Sequence, residues 1–220
     1  MYRYCLFDLD GTLTDSSEGI CKSVGYALES VGIHVEDITT LKCFIGPPLR
    51  TSFRTFYGLD DETMERAIGF YRERYSTVGK FENKPYPGVE NLLKELKEAG
   101  VCLVVASSKP EVYVREIMAH FNLEQYFTHI VGGDLEGKRE AKEEVIKEAL
   151  HRLGIETPEE KKEIIMIGDR HFDINGAKFF GLDSLGVTYG FAPENELSEY
   201  GADYIADTMD EIKEIVLGKE

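Results

Sequence analysis

Short apolar runs of strand length recur along this chain, and between them lie stretches with helical spacing. The runs are Tyr2–Phe7, Val101–Ala106, His129–Val131, Glu163–Ile167 and Ser184–Val187, with a shorter one at Tyr204–Ile205. Helical patterns fill Val89–Glu98, Pro110–Phe121, Lys138–Leu153, Ile174–Phe180 and Met209–Leu217. Apolar strands separated by helices predict a parallel sheet covered on both faces, an α/β fold of the doubly wound kind. The stretch between the first strand and the rest breaks this alternation. Ser16–Val31 carries apolar residues at helical spacing, and residues 36–80 read as helical with breaks at Gly46-Pro47-Pro48 and near Gly58. The double-proline connector "KPYPGV" closes that stretch. The expected organisation is therefore an α/β core of residues 1–14 and 85–220, with a small all-helical cap of residues 15–84 inserted after the first strand. An insert so placed is expected to act as a lid over the carboxyl ends of the strands, where open parallel sheets bind ligands.

Polar residues gather at those strand ends. The first strand runs into Asp8 and Asp10 in "CLFDLDGTLTDS", although aspartate is a poor strand former and costly to bury. "LVVAS" ends in Ser107, followed by Ser108 and Lys109. "EIIMIGD" ends in Asp169, with Asp173 four residues on, and Lys142 opens the preceding helix. Strands lying side by side would bring carboxylates, a hydroxyl and an ammonium to one crevice. Acids so crowded repel one another unless a cation sits among them, and an all-oxygen donor set suits magnesium.

The formal net charge of −16 argues against nucleic acid as a partner, because phosphate backbones reward clustered Lys and Arg. It also means that an anionic substrate needs a local positive centre, from a metal or a well-placed lysine. No apolar run is long enough to span a bilayer, so no membrane partner is expected. The opening "MYRYCLFDLD" lacks the pattern of a signal peptide. The four cysteines (Cys5, Cys21, Cys43, Cys102) form no CxxC pair and read as reduced core fillers, which points to a cytoplasmic protein.

Four motifs taken in order carry a family resemblance: "FDLDGTL", Ser107 in "VVASSKP", Lys142 in "KREAKEEVI" and "IGDRHFD". Together they span nearly the whole chain, and the sequence resembles the haloacid dehalogenase superfamily of aspartate-nucleophile hydrolases. The helical insert and its "FIGPPL" loop look like the cap of the phosphoglycolate-phosphatase-like branch. The resemblance implies a Rossmann-like core and a magnesium-dependent phosphomonoesterase acting on a small phosphorylated metabolite, phosphoglycolate or a nucleoside monophosphate. It implies Asp8 as nucleophile, forming an aspartyl-phosphate, and Asp10 as general acid and then base. Ser107 would bind a phosphoryl oxygen, and Lys142 would offset charge on Asp8 and the phosphoryl group. Asp8 and Asp169 would hold magnesium through side chains and Asp10 through its backbone carbonyl. Asp173 would hold a metal-bound water or orient Lys142. Gly11, Ser108 and Arg50 complete the set as phosphate- or substrate-binding candidates. The expected assembly is a monomer or weak homodimer.

Each residue also has a plainer reading. Ser107 could cap the helix after Pro110, and so could Asp173 the helix that follows it. Lys142 has Arg139 and Lys138 as rivals in a charged run, and Arg50 could be a helix-surface arginine. Arg170 and His171 read as exposed loop, and His171 receives no catalytic role. A phosphomutase would use the same two aspartates and stays open as an alternative. A dehalogenase would need neither Asp10 nor a metal, and a phospho-accepting signalling domain would need no helical insert.

Overall fold

The computed structural model describes residues 1–136 and 139–218. The chain divides into two compact units, one formed by Met1–Thr14 with Pro85–Glu220 and the other by Asp15–Lys84. It opens with β1 (Tyr4–Phe7) and the short β2 (Thr14–Asp15). The helical unit follows with α1 (Ser17–Ser30), a 3-10 stretch (Ile38–Phe44), α2 (Leu49–Tyr57), α3 (Asp61–Thr77) and a 3-10 turn (Gly79–Phe81). β3 (Lys84–Pro85) pairs with β2 as a separate ribbon. The alternating part then comprises α4 (Val89–Glu98), β4 (Cys102–Pro110), α5 (Glu111–His120), β5 (His129–Gly133), α6 (Lys142–Leu153) and α7 (Pro158–Lys161). It ends with β6 (Ile164–Gly168), α8 (His171–Phe180), β7 (Asp183–Val187), α9 (Glu196–Glu199), β8 (Tyr204–Ala206) and α10 (Met209–Leu217).

The six main strands form one parallel sheet in the order β5-β4-β1-β6-β7-β8, so the fold is the expected α/β class. The two-residue period of a strand sorts its side chains between two cores. Cys5 and Phe7 go to one face with Leu103, Val105, Ile165 and Ile167, under Leu92, Leu93, Ile117 and Ile212. Leu6, Val104 and Met166 go to the other, under Val145, Ile146, Ala149 and Ala177. Burial on both faces explains why these strands are continuously apolar. β1 sits between β4 and β6, where the strand order reverses, which is the place where such sheets build their sites.

In the helical unit, Asp60 caps α3 by accepting from the Thr63 N–H at 2.8 Å. Tyr71 and Tyr75 stack at 5.2 Å between ring centres, and Phe44 packs edge-on against Phe53. Among the described residues no helix is long and apolar enough to cross a membrane.

Several element bounds differ from the sequence reading. β4 continues to Pro110 instead of stopping at Ala106, with its register on β5 shifting between Ser107 and Pro110. α6 begins at Lys142, because the Glu144 carboxylate reaches back to the N–H groups of Glu140 and Ala141 and fixes the first turn there. The expected start at Lys138 lies outside the described residues. α8 begins at His171, three residues early, because Asp173 accepts from the Arg170 N–H at 3.1 Å. Residues 38–44 coil as 3-10 rather than α-helix. None of the four cysteines is in a disulfide, but Cys43 is exposed and Cys102 half-buried, so only Cys5 and Cys21 fill core. Cys43 lies on the solvent side of the 3-10 stretch, whose buried positions are taken by Leu41 and Phe44.

Candidate active site

Parallel pairing brings the ends of β1, β4 and β6 level: Phe7 stands opposite Val105 on one side and Ile167 on the other. Asp8 follows Phe7 and extends the ladder through its N–H to the Ile167 carbonyl at 2.9 Å. Asp169 follows Gly168 at the end of β6, and Asp173 lies one turn into α8. Asp8, Asp169 and Asp173 are all buried, and each offers a carboxylate oxygen within 4.8 Å of the others.

Lys142 enters this cluster from the first position of α6. Its ammonium lies 2.7 Å from Asp173 Oδ1 and 3.0 Å from Asp8 Oδ1, and it donates to the Ala106 carbonyl at 3.1 Å. Burial alone would lower the Lys142 pKa, but Asp173 and Asp8 more than offset this and raise it, so the side chain is a firm cation. Of its rivals, Arg139 binds the Gly132 carbonyl and Glu111 instead. Lys138 lies outside the described residues. Asp173 caps α8 with Oδ2 and pairs with Lys142 through Oδ1.

Three carboxyls share one ammonium, and the surplus shows in the acidity of Asp169 and Asp173. Burial pushes the Asp169 carboxyl well above the usual carboxylate range, and the charges of Asp173 and Asp8 push it further. Asp173 is raised by burial too, against the pull of Lys142. Asp169 Oδ2 accepts from the Phe191 N–H at 2.7 Å, whereas Oδ1 is buried with no hydrogen-bond partner. An all-oxygen set with excess negative charge and an orphaned buried oxygen fits a hard divalent cation.

Gly11 is fixed by the same crowding. It adopts a φ of +80°, and a Cβ there would lie 2.0 Å from Asp169 Oδ2, so no larger residue fits between the first motif and the fourth. Asp10, just before this bend, stands outside the carboxylate cluster and pairs through Oδ2 with the Lys109 ammonium at 2.6 Å. Ser107 is buried, its Oγ accepting from the Lys109 N–H at 3.4 Å, and Ser108 is half-buried. Ser107 does not cap α5, whose N-cap position falls to Pro110.

The structure also ties in residues that the motifs do not mark. After β7, Tyr189 donates to the Thr12 carbonyl at 3.1 Å and Phe191 holds Asp169. Gly190 between them has no room for a Cβ, which would stand 2.3 Å from that of Asp169. The sequence signal for this was the glycine between two aromatics just past an apolar strand, "TYGF". Arg170 and His171 are half-buried rather than exposed loop, because buried Glu196 accepts from the Arg170 Nε and the His171 N–H, each at 2.9 Å. Arg50 lies in the helical unit, exposed on α2, where Nη2 donates to Glu65 Oε2 at 3.0 Å.

A family model for haloacid dehalogenase-like hydrolases matches residues 5–187, from β1 to the end of β7. The chain belongs to that family. Among curated relatives, a 5'-nucleotidase of Pseudomonas aeruginosa is 44% identical over 196 residues, covering 89% of this chain and 87% of its own. A tyrosine-protein kinase, PtkA of Mycobacterium tuberculosis, is 38% identical over 211 residues, covering 95% of this chain and 70% of its own. A phosphoglycolate phosphatase of Vibrio vulnificus is 28% identical over 219 residues, with coverage of 96% and 94%. The solved structure of a predicted phosphatase from Clostridium acetobutylicum superposes with a TM-score of 0.93 at 50% identity, covering 99% of each chain. The hydrolase thus shares its whole sheet and its insert with this structure.

Proposed function

We propose that this haloacid dehalogenase-like phosphatase hydrolyses a small phosphorylated metabolite, with nucleoside monophosphates as the leading class, through a phosphoryl group carried on Asp8 and with magnesium as cofactor. The observation that carries this reading is the buried cluster of Asp8, Lys142, Asp173 and Asp169 where the strand order reverses. The likeness to the 5'-nucleotidase at 44% identity supports the substrate class.

Asp8 Oδ1 is held by the Leu9 N–H at 2.8 Å and by Lys142, which leaves Oδ2 to attack phosphorus. Lys142 stays cationic throughout and balances the charge that builds on the phosphoryl oxygens. Asp10 gives its proton to the departing alkoxide, then takes one from the water that cleaves the acyl phosphate. Ser107 binds a phosphoryl oxygen. Asp8 and Asp169 would hold magnesium through their carboxylates, Asp10 through its backbone carbonyl and Asp173 through a water. Magnesium, when bound, supplies the positive charge that three carboxylates and one ammonium lack. The helical unit is read as the substrate-selecting cap, with Arg50 as its anion-binding residue.

The test is inorganic phosphate release from a panel of 5'-nucleotides, phosphoglycolate and simple phosphomonoesters, with magnesium and with a chelator. Release is expected only with magnesium, fastest on a 5'-nucleotide, and calcium should inhibit because its larger, irregular shell misplaces the carboxylate. Full activity in metal-free buffer would overturn the cofactor. The likeness to a kinase sets a further arm: phosphoryl transfer from ATP to a tyrosine peptide, without release from any monoester, would overturn the hydrolase reading.

A further inference from the structure

We propose that Lys109 is the positioning residue for Asp10: it grips the carboxylate by Oδ2 and so presents Oδ1 as the oxygen that carries the proton. This deepens the proposed function and rests on its reading of Asp10 as general acid and base.

The geometry is specific. The Lys109 ammonium lies 2.6 Å from Asp10 Oδ2, and both side chains are largely buried, 6% and 13% exposed. Asp10 Oδ1 is also buried and has no hydrogen-bond partner. One carboxylate oxygen is therefore anchored and the other is left for chemistry. Lys109 reaches this position through the irregular end of β4, where the register on β5 shifts between Ser107 and Pro110. Such irregularities re-aim side chains beside active sites. The same segment supplies Ser107, so one strand end would serve both the phosphoryl oxygens and the acid.

The pairing fits both halves of the reaction. In the first, the bond from Asp8 Oδ2 to phosphorus forms, the bond from phosphorus to the leaving oxygen breaks, and the proton on Asp10 Oδ1 moves to that oxygen. Asp10 becomes an anion as this happens, and the Lys109 ammonium already faces the charge that develops. In the second, the anion takes a proton from water as the water oxygen bonds to phosphorus and Asp8 departs as carboxylate. The contact seen here has the geometry that an Asp10 anion would need between these two transfers. A carboxylate on a short, rotatable stem that loses its anchor also loses its alignment, and misplacement by about 1 Å costs roughly 100-fold.

The test separates proton delivery from general damage through the leaving group. A nitrophenolate leaves without a proton, whereas the alkoxide of a 5'-nucleotide needs one. The readout is kcat/KM, which ends at cleavage of the ester bond and ignores the later hydrolysis. With saturating magnesium, Lys109→Met is expected to lose about 100-fold on adenosine 5'-monophosphate, or on whichever alkyl phosphate the panel shows to be fastest. Its loss on p-nitrophenyl phosphate should be about a tenth of that. Lys109→Arg, which keeps a cation, should recover part of the alkyl-ester rate. Lys109→Gln decides by the same ratio should the Met variant fail to fold by circular dichroism. Equal losses on both esters, or no loss on either, would overturn the proposal. Asp10→Asn is run in parallel. An unchanged alkyl-to-aryl ratio there would refute Asp10 as the acid, whereas a changed ratio there with none in the Lys109 variants would refute Lys109 alone.

Discussion

Replacing Asp169 with Asn should stabilise the metal-free protein while removing its response to magnesium. Asp169 is 1% exposed, and its carboxylate stands within 4.8 Å of those of Asp8 and Asp173. At an effective dielectric constant of about 20, a fully ionised like-charge pair 4.8 Å apart costs about 3.5 kcal/mol. Lys142 already screens Asp8 and Asp173, and proton uptake by Asp169 limits the cost further. The net penalty to be relieved is therefore about 1–3 kcal/mol. Asparagine has the same shape, can keep an oxygen for the Phe191 N–H, and offers its NH2 to the neighbouring carboxylates. For a chain of this length each kcal/mol moves the melting temperature by about 2–4 °C, so Asp169→Asn should melt about 2–12 °C above the native protein in chelator. Magnesium should raise the melting temperature of the native protein and leave that of the variant unmoved. Calorimetry in chelator and in magnesium decides both points. A variant that melts below the native protein in chelator would show that the three acids are not in conflict. A magnesium shift equal to the native one would remove Asp169 from the ligands.

Asp8→Asn should fold as the native protein does and release no phosphate from any monoester; substantial turnover by the folded variant would refute Asp8 as nucleophile. Arg50→Ala should raise KM for substrates with a second anionic group and spare p-nitrophenyl phosphate. No change on either would leave Arg50 as the surface partner of Glu65 that it is in the helical unit. Glu111 supplies a pH dependence. Burial opposes its ionisation, but Arg152, Arg115 and the Gly132 N–H overcome this and hold its carboxyl below the usual value. Its contribution is thus fully present above the unfolded value of about 4.3 and is lost as pH falls through the lower folded value. Glu111→Gln should cost about 1 kcal/mol at neutral pH, a figure already discounted for partial exposure. In urea titrations the gap between variant and native protein should close towards pH 3, and a gap independent of pH would refute the ion-pair account.

Asp8, Asp169, Asp173 and Lys142 were legible in the sequence because a parallel sheet converts linear order into place. A polar residue just past a buried apolar run must emerge at the carboxyl edge, and three such runs sit side by side here. The bounds of α6 and α8 were less legible, since each is set by a carboxylate reaching back from the third helical position, a contact that apolar spacing does not encode. The Asp169 brace from Phe191 comes from a loop 22 residues away, and no motif spacing marks it. Lys109 was hidden for a different reason. In a regular strand it would share a face with Ser107, and its ammonium would have no defined partner. The register shift between Ser107 and Pro110 is a property of how β4 meets β5, decided by two strands together. Within the charge cluster, Asp8 and Asp169 directly follow their strands, and Asp173 and Lys142 sit in the first turns of α8 and α6. The residue whose position needs two strands is the one holding Asp10. A reaction that divides attack and proton transfer between Asp8 and Asp10 depends on both: Asp8 is fixed by the sheet, and Asp10, just before the bend at Gly11, by the lysine at the irregular end of β4.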